Sequence, residues 1–101
     1  MTARVVASAR ARAELIRILS HLRDQAGHGT ASKYQGWFEA AFDRLAVHPQ
    51  GGSPRPALGR NIRMVVVEPY LILYRFDART DVVSVLGVLH GHRHITAAEP
   101  P

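Results

Sequence analysis

The period of the apolar positions changes once along this chain. From residue 9 to about 47 they recur every three or four positions, and from residue 60 onward they come in short runs rich in Val, Ile, Leu, Tyr and Phe. Leu15, Leu19, Leu22 and Ala26 stand at helical spacing, with Arg10, Glu14, Arg17, His21 and Asp24 on the opposite side, which predicts an amphipathic helix ending near Ala26. Ser8 is placed to cap it by accepting a hydrogen bond from a free backbone N–H of the first turn, and Gly27 and Gly29 supply the stop. Tyr34, Phe38, Ala41 and Leu45 repeat the spacing in a second helix, capped by Thr30 and ended by His48-Pro49. Trp37 and Phe42 widen its apolar stripe, and aromatics at this spacing, Trp37 and Phe38 included, read as core. The short connection makes the two helices an antiparallel hairpin.

Strand patterns lie on both sides of the hairpin. Arg4 to Ala7 is a short strand candidate, and Arg60 to Ile95 reads as a three-strand antiparallel meander broken at Glu68-Pro69 and at Asp77 to Thr80. Between hairpin and meander, residues 49–59 (PQGGSPRPALG) are too rich in proline and glycine for regular structure and read as a surface loop. In the first run Ile62, Met64 and Val66 oppose Asn61, Arg63 and Val65, placing Arg63 on the less apolar side. In the second, Tyr70, Ile72, Tyr74 and Phe76 oppose Leu71, Leu73 and Arg75. The third is apolar on both sides, so both sheet faces are expected to be covered, at least in a complex. The order is βααβββ, a two-layer α+β unit with a helical hairpin on one sheet face, forming one domain over residues 1–101 with an ordered core of about 3–96.

Composition narrows the classes. At 47% hydrophobic and 21% charged residues the chain reads as a soluble globular domain, with no apolar run long enough to span a membrane. The absence of cysteine excludes disulfide scaffolds, thiolate metal sites and cysteine nucleophiles, leaving the cytoplasm as the expected location. The net charge is +5 and twelve of the thirteen basic residues are arginine, which favours bidentate contact with phosphate or carboxylate. Such an excess points to nucleic acid or an acidic protein segment as partner.

Candidate chemistry gathers in the strands. His90, His92 and His94 alternate, so in an extended segment all three project to one side, a geometry open to a transition metal. With no carboxylate nearby in sequence, no metal and no cofactor are expected. Arg63, Arg75 and Arg93 are candidates for a basic patch on the open sheet face. Tyr70 and Tyr74 share a strand face and could stack a base, though packing is their simpler role.

The order of these pieces resembles the RelE/ParE toxin superfamily of type II toxin-antitoxin modules, closer to ParE. The resemblance covers nearly the whole chain and rests on Ser53 to Gly59 (SPRPALG), Ile62-Arg63, Pro69 to Arg75 (PYLILYR) and Val88 to Ile95 (VLHGHRHI). It implies a four-stranded antiparallel sheet of order 1-4-3-2, the first strand beside the last. In the closing motif, Gly87 stands where the family usually has an arginine. Of the basic and tyrosine set used by the RNA-cleaving RelE branch only Arg63 and Arg93 remain, the other positions falling on Val65, Leu71 and about Glu99.

RNA cleavage needs groups to take and give protons as well as cations on the phosphorane. Arginine is a poor proton shuttle, so His90 and His92, with Arg63 and Arg93 as phosphate clamps, are the candidates if the protein is a ribosome-dependent mRNA endonuclease. The depleted set favours the ParE reading, a non-catalytic inhibitor of DNA gyrase neutralised by a cognate antitoxin. That antitoxin would lay an acidic amphipathic segment on the arginine-rich surface in a hetero-oligomer, with Arg63, Tyr74, Arg75, His90 and Arg93 as candidate antitoxin- or target-binding residues.

Overall fold

Ser8 alone separates the first strand, β1 (Arg4–Ala7), from the first helix, α1 (Ala9–Ala26). Its hydroxyl accepts the Ala11 N–H at 3.0 Å, the cap expected from its position. The structure is a computed structural model that describes residues 2–91, so the readings made for His92, Arg93, His94 and everything beyond lie outside the described residues.

Gly27 closes α1, and the second helix, α2 (His28–Val47), starts at the very next residue. Gly27 has φ of 90°, a conformation glycine adopts without steric cost, and this lets a single residue reverse the chain between helices. Thr30 and Gly29 therefore lie inside α2 and not at its boundary. His48 ends α2, its N–H donating to Arg44 C=O at 2.7 Å. Pro49 follows.

The expected loop holds two short elements, β2 (Ser53–Pro54) and a 3-10 turn (Pro56–Leu58). The meander follows as β3 (Ile62–Val67), β4 (Tyr70–Asp77) and β5 (Val82–His90), with β3 and β4 joined through a cis Glu68-Pro69 bond.

The sheet corrects the expected four antiparallel strands in order 1-4-3-2. It has five strands in the order β1-β5-β4-β3-β2, and it is mixed, because β1 runs parallel to β5 while the other neighbours are antiparallel. The physical reason is the number of reversals. After β1 the chain turns back between the helices, between α2 and β3, and at each of the two hairpins, and an even number restores the original direction. β2 went unread because a serine and a proline among glycines carry no strand pattern. It exists because Arg55 N–H finds Ile62 C=O at 2.8 Å and lays the preceding residues beside β3.

Core packing follows the two periodicities. Ala11, Phe38 and Ala41 from the helices meet Val67, Tyr70, Ile72, Val85 and Val88 from the sheet, and a second cluster joins Ala3, Leu45, Tyr74 and Val83. Leu15, Leu19 and Leu22 pack at the margin of the first cluster, so the α1 stripe faces the sheet as its spacing required. Trp37 is the exception among the aromatics. It is 48% exposed where Phe38, the next residue, is 1% exposed, because one step along a helix turns a side chain through about 100°.

Candidate functional site

Cross-strand partners in a sheet share a face, and this rule separates two of the candidate residues. Arg63 pairs with Tyr74 and Arg75 pairs with Ile62. Tyr74 belongs to the core beneath α2, so Arg63 projects to the helix-covered face along with Val65 and Val67, and Arg75 projects to the other. The side read as less apolar in β3 is thus the one the helices cover. Arg63 and Arg75 do not form one patch, and Arg93 lies outside the described residues.

Arg63 acts as a brace in this structure. Its Nη1 donates to Gln50 C=O at 2.9 Å and to Gly52 C=O at 2.8 Å. Tyr74 completes the clasp, its hydroxyl accepting Gly52 N–H at 2.8 Å. Tyr74 is 0% exposed, so its ring offers no surface to a partner here. Burial pushes its hydroxyl pKa above the ordinary value, while the Gly52 N–H and the Arg63 charge pull it back in part. Beside the clasp lies a cleft of about 240 Å³ whose polar walls are Gln50, Asn61 and Arg63 and whose apolar walls include Phe76. Arg75 is exposed, and its Nε donates to Arg60 C=O at 3.0 Å, steadying the turn into β3.

His90 ends β5 opposite Tyr70, the two rings meeting edge to face at 5.5 Å. Tyr70 also meets Tyr34 at 5.8 Å, and Tyr34 meets Trp37 at 4.8 Å, so four rings run from the surface of α2 to the end of β5. Burial, with a smaller contribution from Tyr34, raises the Tyr70 pKa. Among the described residues no group of three His, Cys, Asp or Glu side chains could hold a metal ion. The alternating histidine set runs out of the described residues at His92. His90 is the described histidine at this end of the sheet.

Two residues that the sequence reading gave only a local or solvent-facing role sit at the edge of β5. β1 pairs with β5 only as far as Ala7 and Val85, so β5 continues past its neighbour. There Ser8 donates its hydroxyl to Leu86 C=O at 3.4 Å, and the Glu14 carboxylate accepts Val88 N–H at 3.0 Å. Glu14 is also 3.6 Å from Arg10, and its side chain is only 16% exposed. The pairing with β4 slips by one residue here, so that Leu73 faces Gly87 and Tyr74 faces Val85, leaving Leu86 as a bulge. A Cβ on Gly87 would stand 3.2 Å from a Glu14 carboxylate oxygen, a close approach that glycine relieves. The signal for Glu14 was present: it lies three residues after Ala11 and four before Ile18, both on the packed stripe.

A helical hairpin on one face of a sheet whose first strand pairs with its last strand is the fold of the RelE/ParE toxins. The structure superposes with a TM-score of 0.73 on a chain of the chromosomal ParDE toxin-antitoxin system from P. aeruginosa, at 19% identity over 88% of this chain and 96% of that one. It superposes at 0.67 on a chain of the RelBE2 toxin-antitoxin complex from Mycobacterium tuberculosis, at 22% identity over 89% and 99%. Toxin ParE3 of Caulobacter vibrioides is 30% identical over 94 residues, 93% of this chain and 92% of that protein.

Residues 5–95 match the family described as the ParE toxin of the type II toxin-antitoxin system parDE. The chain belongs to that family.

Proposed function

We propose that this ParE-family toxin stops growth by inhibiting DNA gyrase through binding, and that a cognate antitoxin neutralises it in a hetero-oligomer. The observation that carries the reading is the match to the ParE family across residues 5–95. Arg63, one of two basic positions kept from the RNA-cleaving set, has its Nη1 engaged by two backbone carbonyls, which weighs against its service as a phosphate clamp.

Plasmid supercoiling by purified DNA gyrase, titrated with this protein, tests the proposal. Inhibition that the product of the neighbouring reading frame relieves is the expected result. A folded sample without effect on gyrase removes this target and leaves ribosome-bound mRNA cleavage, with His90→Ala and His92→Ala as the variants that decide it.

A further inference from the structure

Charge is unevenly spread along this chain. Between Asp43 and Glu68 stand four arginines, Arg44, Arg55, Arg60 and Arg63, and no acid. The fold carries Arg55 and Arg60 to one corner of the sheet and brings Arg75 to them. Arg55 N–H donates to Ile62 C=O at 2.8 Å and Ile62 pairs with Arg75, so Arg55, Ile62 and Arg75 stand in one row across the sheet. The Arg75 side chain, on the face away from the helices, reaches over the turn that opens β3. Its Nε donates to Arg60 C=O at 3.0 Å, and its Nη2 would stand 3.7 Å from a Cβ on Gly59. Arg60 and Asn61 form the exposed tip of that turn, Asn61 with φ of 62°.

All three arginines are exposed. Among the described residues the side chains of Arg55 and Arg60 make no hydrogen bond or ion pair, and Arg75 uses only its Nε, which leaves most of its donors facing water. Asp77, the first acid along β4, turns a carboxylate oxygen to the Arg79 N–H at 2.9 Å.

We propose that this corner binds the sugar-phosphate backbone of duplex DNA, with Arg55, Arg60 and Arg75 each on a separate phosphate. Neighbouring strands lie about 4.8 Å apart, so the backbones of Arg55 and Arg75, two strands apart, are separated by roughly 10 Å. That is too wide for the two oxygens of one carboxylate, and it suits a polyanion whose phosphates are reached one by one by long side chains. The corner presents a turn and strand ends, with no element shaped to enter a groove, so the contact is to the backbone and independent of base sequence. Duplex DNA is the substrate that gyrase holds. The inference therefore deepens the gyrase reading above, setting the toxin against the DNA as well as the enzyme.

The experiment follows the fluorescence anisotropy of a labelled DNA duplex of mixed sequence, titrated with the full chain over a series of salt concentrations. Binding with a steep salt dependence is the expected result. The double substitution Arg55→Ala with Arg60→Ala, its fold checked by circular dichroism, should raise Kd by about tenfold and lower the slope of log K against log salt by about two. Arg12→Ala with Arg17→Ala, the same change of charge on the exposed side of α1, should raise Kd by less than about threefold. No binding by the wild-type chain at low salt, or equal losses in the two double variants, overturns the proposal. A single-stranded RNA bound more tightly than the duplex overturns the assignment to DNA, and polyglutamate that displaces the duplex as well as unlabelled DNA does overturns the assignment to phosphate. Because gyrase is absent, failure here leaves the supercoiling result standing, and a chain that binds DNA without inhibiting gyrase fails the gyrase reading alone.

Discussion

The Glu14 carboxylate holds the backbone N–H of Val88 at 3.0 Å across seventy-four positions of the chain. It ties the middle of α1 to the last strand just past the bulge at Leu86. Removing the acceptor while leaving the half-buried N–H in place costs more than the net worth of one hydrogen bond. Glu14→Ala is expected to destabilise by about 1–3 kcal/mol. Glu14→Gln, which keeps a carbonyl oxygen, should cost less, and urea denaturation of the two variants distinguishes these outcomes.

Gly87 and Glu14 are coupled, because a Cβ at 87 would approach a carboxylate oxygen to 3.2 Å. Gly87→Ala should therefore destabilise by about 1 kcal/mol in the wild-type background and by less once Glu14 is alanine. A double-mutant cycle on denaturation midpoints measures the difference, and strict additivity would remove the coupling.

Gly52 meets the clasp from the other side. A Cβ there would stand 2.6 Å from the Tyr74 hydroxyl and 2.9 Å from Met64 C=O, and the latter is backbone. Gly52→Ala is expected to cost about 2–3 kcal/mol, within the range for overpacking. Tyr74→Phe removes the acceptor for Gly52 N–H and should cost about 1–2 kcal/mol while speeding exchange of the Gly52 amide.

Burial raises the pKa of both Tyr70 and Tyr74 above the ordinary 10.0. The folded chain then keeps protons that the unfolded chain releases, so the stability this supplies is complete below pH 10.0 and falls as the pH climbs through the folded values. Alkaline titration should show the tyrosinate absorbance of these two residues rising together with loss of structure. Tyr70→Phe should reduce the slope of stability against pH in that range.

Helices and meander were legible because their apolar spacing is set by the same faces that pack. Leu15, Leu19 and Leu22 announce α1, and Tyr70, Ile72 and Tyr74 announce the inner face of β4. The direction of β1 was not legible, since a four-residue strand pairs equally well either way and only the path between decides. Trp37 shows the limit of composition: helical spacing marks a stripe, and a residue at its margin goes to whichever side has room.

The candidate site was less legible for a related reason. Arginines within strands were read by charge, and charge does not tell whether a guanidinium meets solvent or a backbone carbonyl. Arg63 found Gln50 and Gly52 because residues 48–52 fold back over the end of β3, a path that glycines and a proline allow and do not encode. Glu14 was assigned to solvent because acids usually are, yet an uncovered strand edge supplies the donor that makes its burial favourable.

The parallel pairing of Arg4 with Val82 has a consequence for how the protein is made. β5 sits between β1 and β4, so neither neighbour has its full set of partners until the chain has been synthesised through residue 90. The helical hairpin can form early from local contacts, but the sheet it packs on closes late, by contacts that span almost the whole sequence. While the nascent chain waits, its valine-rich strands are available to any extended peptide that reaches them first.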